Sequence, residues 1–586
     1  MIKKLFKQMT YVQIISVLTP TICRMIDSIV IGRLIGVEAM SAYGISAPLI
    51  IILSAISLMM VNGIEVILGK TMGRGEIEKA NVCFSTSVVS SLCIAAFCIL
   101  LLFAIPDKIC TVLGAGTASV SNPVFVHTRG YLYGYFLGTP FLLLSMIMGT
   151  YLQSLGKRHT LLISVIAMTI SDVVFDLISV FVFDAGMFGI GLATSLSYLV
   201  SFIIYLFVLM KKDCVFRFSI SKVQISYLVS IAKAGSPVLY DEIFYTTKTL
   251  IFNWILIWIG GNTAVAIFAV YTILDNLIYS IGLGAGAVTL LLSSMFYNDE
   301  DRESILSLVE VMVTHTLMIL VSVILIAELF SARLIPLFIG DDPSIIPAAV
   351  SGFRIFLIGL VATNLTDVFK NYFQGIGRMF LTNLVGFLKS LAIMIPCVLL
   401  FGYLFHLTGF WIGTVVGQYC SLLTVAIIEW KKYGRVSFSR EAFSYLDPDF
   451  GAKPEDYVEM TVEDLDGAVK ASKALNDFCR KKDMDNRTGM FIGLCAEEMI
   501  VNIIEHGFDK NRNSNNVDVR MTVHGDRRVI RIRDNCRSFD PTKYLELHQN
   551  DENDPTTHIG LKMVMKLVKE ANYVNTLGLN NLTLVL

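Results

Sequence analysis

The stretch Leu422-Leu-Thr-Val-Ala-Ile-Ile-Glu-Trp-Lys-Lys-Tyr-Gly-Arg435 decides how the chain is read, because an apolar run ends there in a basic cluster and the composition changes across it. Residues 1–435 hold 27 Lys+Arg and 23 Asp+Glu, about 11% charged, whereas residues 436–586 hold 20 and 25, about 30%. The second figure is that of a soluble globular domain and the first that of a polytopic membrane protein. The overall values, 16% charged and 54% hydrophobic, describe neither part. A single soluble enzyme, a disordered chain and a secreted disulfide scaffold are excluded together. The net charge of −1, about +4 before the boundary and −5 after it, gives no support to nucleic-acid binding. Eleven Cys occur without a Cys-x-x-Cys or a His/Cys cluster at zinc spacing, and read as reduced thiols.

Upstream of that stretch, apolar runs recur at about 10–33, 42–69, 81–106, 125–154, 159–183, 187–210, 229–259, 263–296, 305–331, 347–376, 380–405 and 409–430. Each is long enough to cross about 30 Å of hydrocarbon as a helix. The spacing predicts twelve transmembrane helices. Lys and Arg are retained on the cytoplasmic side, and they gather in alternate loops: Lys3, Lys4 and Lys7; Lys70, Arg74 and Lys79; Lys157 and Arg158; Lys211 to Lys222; Lys431, Lys432 and Arg435. Both termini are therefore expected in the cytoplasm. The basic start lacks a small-residue cleavage site and reads as a retained lead-in, not a signal peptide. Sliding the chain by 225 residues lays Gly36-Val-Glu-Ala-Met-Ser-Ala-Tyr43 on Gly261-Asn-Thr-Ala-Val-Ala-Ile-Phe268. The repeat suggests two lobes, about 1–215 and 225–435, around a central cavity, as alternating access requires.

An ionisable group inside hydrocarbon is costly unless paired or wet, so each marks a functional hypothesis. In the first lobe these are Asp27, Glu65, Asp172 and Asp176. Asp172 and Asp176 lie four apart on one helix face, and two such carboxylates do not both stay ionised cheaply. One keeps a proton or shares a cation, as a proton- or sodium-coupled carrier needs; the competing reading is a structural cluster satisfied by Arg24 or water. In the second lobe Asp241, Glu242, Lys248, Asp275, Asp367, Lys370 and Lys389 read as ion pairs or a polar cavity wall. Met59-Met60 and Met146-Ile-Met148 read as packing ahead of an adaptable drug cavity. Gly282, Gly284 and Gly286 sit mid-span, where small residues let helices approach.

Residues 27–80, from Asp27-Ser-Ile-Val-Ile-Gly-Arg-Leu-Ile-Gly36 through Leu68-Gly-Lys-Thr-Met-Gly-Arg-Gly-Glu-Ile-Glu-Lys-Ala80, resemble the first two helices of the multidrug and toxin extrusion (MATE) transporters. Leu152-Gln-Ser-Leu-Gly-Lys157 and Gly189-Ile-Gly-Leu-Ala-Thr-Ser195 share the resemblance, which covers roughly residues 10–430. It implies a cation site in the first lobe built by Asp27, by Asp172 and Asp176, and by Thr194. Asp172 stands where the family has Asn, adding a carboxylate, and the coupling ion is left as H⁺ or Na⁺.

Beyond the boundary, 436–454 reads as a polar linker and 455–586 as a domain. A strand is expected at Tyr457–Val462, helices at about 464–481 and 486–506, and a hairpin of Val517–Val523 with Arg528–Arg533. A helix at about 559–571 and two closing strands from Asn572 complete a two-layer α+β sandwich. No Gly-x-x-x-x-Gly-Lys-Ser/Thr occurs, which argues against a P-loop motor. Instead Ala496-Glu-Glu-Met-Ile-Val-Asn-Ile-Ile-Glu-His-Gly-Phe508 places Glu498 and Asn502 at i, i+4 on one helix. A carboxylate there orders water, and an amide oxygen completes the coordination of Mg²⁺.

With Asp534-Asn-Cys-Arg-Ser-Phe-Asp540, His558-Ile-Gly-Leu-Lys-Met-Val564 and Asn581-Leu-Thr-Leu-Val-Leu586, this part resembles the GHKL (Bergerat-type) ATPase superfamily, and within it the anti-sigma-factor serine kinases. The resemblance implies Glu498 as general base, Asn502 as Mg²⁺ ligand, Asp534 as acceptor for the adenine amino group, Gly560 at the phosphates, Thr583 as a secondary adenine contact and 541–558 as a lid. Cys536 and Ser538 stand in place of the family's first Gly-x-Gly, and His558 in place of a glycine of the second box, where glycine permits close approach to phosphate. No His lies in a dimerising hairpin ahead of the domain; His506 reads as a helix C-terminal cap.

The two resemblances together imply a bacterial inner-membrane protein, a cation-coupled efflux antiporter for small organic or drug-like compounds joined to a cytoplasmic ATP- and Mg²⁺-binding domain that regulates or signals. A membrane-anchored serine/threonine kinase acting on a cytosolic anti-sigma antagonist-like protein is the alternative. A lipid-carrier flippase is a third.

Overall fold

The computed structural model describes residues 2–586 except 75, 114, 116–121, 212–214, 337–345, 434–440, 448–449, 453, 509–514, 525–526, 538, 542–561, 563, 567 and 577–578. The membrane part runs as α1 (Ile2–Val30), α2 (Val37–Gly73), α3 (Ile77–Ala104), α4 (the bent pair Pro123–Leu137 and Thr139–Ser154), α5 (Arg158–Phe181), α6 (Gly186–Leu209), α7 (Ile225–Gly261), α8 (Thr263–Asn298), α9 (Arg302–Leu334) and α10 (Ile346–Gly375). A final apolar stretch, Met379–Ile428, is broken by non-helical backbone at Phe405 and His406, giving α11 (379–404) and α12 (407–433). Among the described residues nine helices are long and apolar enough to span a bilayer, or ten with the bent pair. The break in the last of these and the less apolar α1 complete the twelve. The internal repeat has a backbone reason: Gly36 and Gly261 both take positive φ, +124° and +65°, and each lies just ahead of the second helix of its lobe. A side chain would strain either turn.

Each lobe buries its own apolar clusters, such as Val30, Phe125, Tyr131 and Leu142 in the first and Phe252, Tyr271, Phe353 and Trp411 in the second. At one end the lobes close on each other. Gly63 and Gly235 leave no room for a Cβ against the backbone of Ile231 and Met59, so α2 and the start of α7 touch main chain to main chain. Ser294 on α8 donates to the Val66 carbonyl of α2 at 2.7 Å.

The C-terminal part is a sandwich. Strands β1 (Tyr457–Val462), β2 (Val517–His524), β3 (Arg527–Asp534), β4 (Glu570–Thr576) and β5 (Leu579–Val585) form an antiparallel sheet in the order β1-β2-β3-β5-β4. Helices α13 (Leu465–Lys481) and α14 (Asn486–Asn502) cover one face, where Ala471, Leu475, Cys495 and Met499 pack on Val519, Met521, Ile530, Ile532, Leu582 and Leu584. Asp464 caps α13 by accepting from the Gly467 amide at 2.7 Å. The last pair of strands begins earlier than the sequence suggests: Glu570 is already paired with Val585.

The other face of the sheet rests on the end of the membrane part where the two lobes meet. Arg520, Arg531 and Arg533 alternate outward from the apolar face and converge on Asp299 and Asp301 between α8 and α9. Arg520 and Arg531 each reach Asp301 at 2.5 Å, and Arg533 reaches Asp299 at 3.2 Å. Burial acts to raise the Asp301 pKa, but the three arginines more than reverse it and hold the carboxyl well below the usual range. The segment expected as a plain linker is seated as well. Tyr445 donates to the Val425 carbonyl, Phe450 stacks on Tyr297 at 4.8 Å, and Arg302 donates to the Asp447 and Phe450 carbonyls at 3.2 Å. Its aromatic residues find apolar seats that a polar reading of 436–454 does not anticipate.

Candidate functional sites

In the first lobe, α1 brings Asp27 to the face of α5 that carries Asp172 and Asp176, one turn apart. All three are buried, at 2%, 1% and 0% exposure. The Asp27 and Asp176 carboxyls lie within hydrogen-bond reach of each other. Yet neither Asp176 oxygen receives a hydrogen bond from any N–H or O–H in the described residues, and neither does Asp27 Oδ1. Two carboxyl groups so placed do not both stay ionised cheaply, and a proton or a cation between them would relieve the repulsion. Asp172 faces the Cys23 thiol and the Ser197 hydroxyl.

Thr194 is not drawn in. Its hydroxyl donates to the Ile190 carbonyl of its own helix at 3.3 Å, and Ser197, one turn on and beside Asp172, likewise donates to the Thr194 carbonyl at 2.8 Å. Cys23 and Ser197 were invisible to motif reasoning, although each lies one helical turn from a residue the motif does select, Asp27 and Thr194. The side chain of Arg24 lies outside the described residues.

The second lobe uses its acids differently. Lys370 of α10 bonds Asp241 of α7 and lies 3.5 Å from Asp367, and Lys389 of α11 meets Asp367 at 2.5 Å. The ion-pair expectation holds for these. Lys248 instead sits over the Tyr245 ring at 4.8 Å.

In the sandwich, Glu498 and Asn502 share a half-buried face of α14, which ends in a single π turn, Ile503–Gly507. Such turns are rare and cluster at functional sites. Asn502 Nδ2 donates to the Glu498 carbonyl at 2.8 Å, so its Oδ1 is the atom left to meet a ligand, as an Mg²⁺ role requires. Asp534 ends β3 on the helix-covered face. Its Oδ1 accepts from Asn580 Nδ2 at 2.7 Å and from the Cys536 amide at 2.9 Å, and burial holds its pKa above the ordinary value despite those donors. A buried acceptor carboxylate at this point fits the adenine amino group.

Thr583 does not join it. The register pairs Thr583 with Arg531, on the face turned to the carrier, while Asn580 pairs with Asp534. The strand's period of two makes Asn580 the β5 residue beside Asp534. Gly560 and most of the 541–558 lid lie outside the described residues.

Twelve helices in two lobes, with a buried acid cluster in one, define a polytopic carrier, and the sheet with Glu498, Asn502 and Asp534 defines an ATPase-type sandwich fused to it. The chain belongs to the MatE family, whose model matches residues 13–178 and 237–400. Residues 461–586 match the histidine kinase-like ATPase domain. The chain is 24% identical over 403 residues to the multidrug export protein MepA of Staphylococcus saprophyticus, covering 68% of this chain and 87% of that one. It is 23% identical, with the same coverage, to MepA of Staphylococcus aureus strain NCTC 8325. Among solved structures it resembles MATE in complex with MaL6, at 20% identity and a TM-score of 0.66, covering 72% of this chain and 94% of that one. A MOP superfamily transporter from Pyrococcus furiosus matches with the same values.

Proposed function

We propose that the protein is a proton-coupled efflux antiporter for small organic compounds, carrying a cytoplasmic domain that binds ATP and Mg²⁺ and regulates transport. The observation that carries the coupling is the buried, closely placed pair of Asp27 and Asp176, in which neither Asp176 oxygen has an N–H or O–H partner among the described residues. A shared proton is the cheapest occupant of two buried carboxylates with no other donor, and a substrate or a pH change at the open end displaces it. The likeness to multidrug export proteins supports the substrate class. The seated sandwich, with its outer face on the carrier, supports regulation within the chain. The gathering of basic residues in alternate loops supports a cytoplasmic sandwich.

The test is ethidium transport by the full chain in proteoliposomes. A pH gradient drives it without Na⁺; efflux that persists in gradient-free vesicles supplied with ATP, or that follows a Na⁺ gradient alone, overturns the reading.

A further inference from the structure

Opening the closed end of a two-lobed carrier requires its lobes to part there, and the sandwich is attached to both. On the second lobe, Asp299 and Asp301 take up the buried Arg520 and Arg533 and the half-buried Arg531, and Leu579 at the start of β5 belongs to the same apolar cluster as Phe296, Val309 and Phe373. On the first lobe, Val574 of β4 belongs to the cluster of Met72, Tyr151, Leu155 and Phe216. Val574 and Leu579 lie near the same end of the β4–β5 pair, and both sit on its carrier-facing side. The pair therefore bridges the two lobes where they must separate.

The same pair is wired to the nucleotide site. Tyr573 Oη and Asn575 Nδ2 both donate to Asn580 Oδ1 at 2.7 Å, and Asn580 Nδ2 donates to Asp534 at 2.7 Å. Asn580 is thus held from one side by the residues flanking Val574 and from the other by the acceptor for adenine.

We propose that the β4–β5 pair is a nucleotide-released brace: with Asp534 free of nucleotide it pins the closed end of the carrier, and an adenine amino group on Asp534 competes with Asn580 and loosens it. The attachment that yields is Val574, one apolar side chain, whereas the arginine–aspartate cluster holds through several ion pairs. The proposal rests on the gradient-driven carrier and ATP-site readings above.

The test uses the full chain in proteoliposomes under a pH gradient, with the non-hydrolysable analogue AMP-PNP on the sandwich side. Nucleotide is expected to raise the ethidium rate severalfold in the wild type. Val574→Ser, and separately Asp299→Asn with Asp301→Asn, are expected to reach that rate without nucleotide and to respond no further, while still binding a fluorescent ATP analogue. In parallel, hydrogen exchange of residues 570–586 is expected to quicken on nucleotide binding, a readout independent of transport. Bound nucleotide that changes neither rate nor exchange, or that slows both, overturns the brace and leaves the two underlying readings standing. Absence of nucleotide binding by the wild type overturns the ATP site and the brace together, and absence of gradient-driven transport with intact nucleotide-quickened exchange overturns the carrier reading alone.

Discussion

The two lobes bury acids of one kind in opposite ways. In the second lobe Asp241, Lys370, Asp367 and Lys389 form an unbroken chain of alternating charge. In the first, Asp27, Asp172 and Asp176 stand together, and among the described residues no lysine or arginine forms an ion pair with them. A paired carboxylate is fixed in its charge state and serves structure. A carboxylate set beside another carboxylate with no cation is not fixed in this way, and that contrast is the ground on which we propose that the first lobe carries coupling.

The largest effect separates those roles. Asp176→Asn is expected to bring pH-driven ethidium transport to background while the protein elutes and melts like the wild type, and Asp27→Asn should do the same. Full transport in either variant breaks the comparison.

Lys389→Met addresses the other lobe. It strips Asp367 of its 2.5 Å partner, and breaking a buried pair costs about 3–5 kcal/mol, read as a large drop in thermal midpoint. Combining it with Asp367→Leu should restore most of the loss, whereas no paired change should rescue Asp176→Asn.

The sandwich carries the same contrast on a smaller scale. Asp534→Asn removes a charged acceptor and should weaken ATP binding by about 10-fold, the size of one charge-assisted hydrogen bond. Thr583→Val, on the opposite face of the sheet, should leave binding unchanged in titrations with a fluorescent analogue. Smallest of all is Lys3→Ala, which breaks an exposed pair with Glu310 at 2.5 Å. Such pairs are worth about 0–1 kcal/mol, so the melting temperature should scarcely move.

Much of this was legible in the chain, for identifiable reasons. Apolar runs announce membrane helices because hydrocarbon leaves no alternative, and the Gly36 and Gly261 turns were found because positive φ selects glycine at both. The clustering of Asp27 with Asp172 and Asp176 followed from helical spacing and the family resemblance. Thr194 and Thr583 were misplaced for a common reason. A motif marks the segment, while a shift of three residues along a helix or strand decides which side chain faces the site, and Ser197 and Asn580 do so here. The docking of Arg520, Arg531 and Arg533 could not be read at all, since alternation shows that they leave the apolar face but not that their partners lie more than 200 residues upstream. The buried seat of Tyr445 was hidden likewise, as a polar segment gives no sign of the pocket that receives this ring.

The central claim is that substrate displaces a proton held between Asp27 and Asp176. Purified full-length protein in weakly buffered, Na⁺-free solution can be mixed with ethidium while released protons are followed with a pH-sensitive dye. The wild type is expected to release close to one proton per bound ethidium and Asp176→Asn none. Binding by the wild type without proton release, or equal release by the variant, would contradict the account.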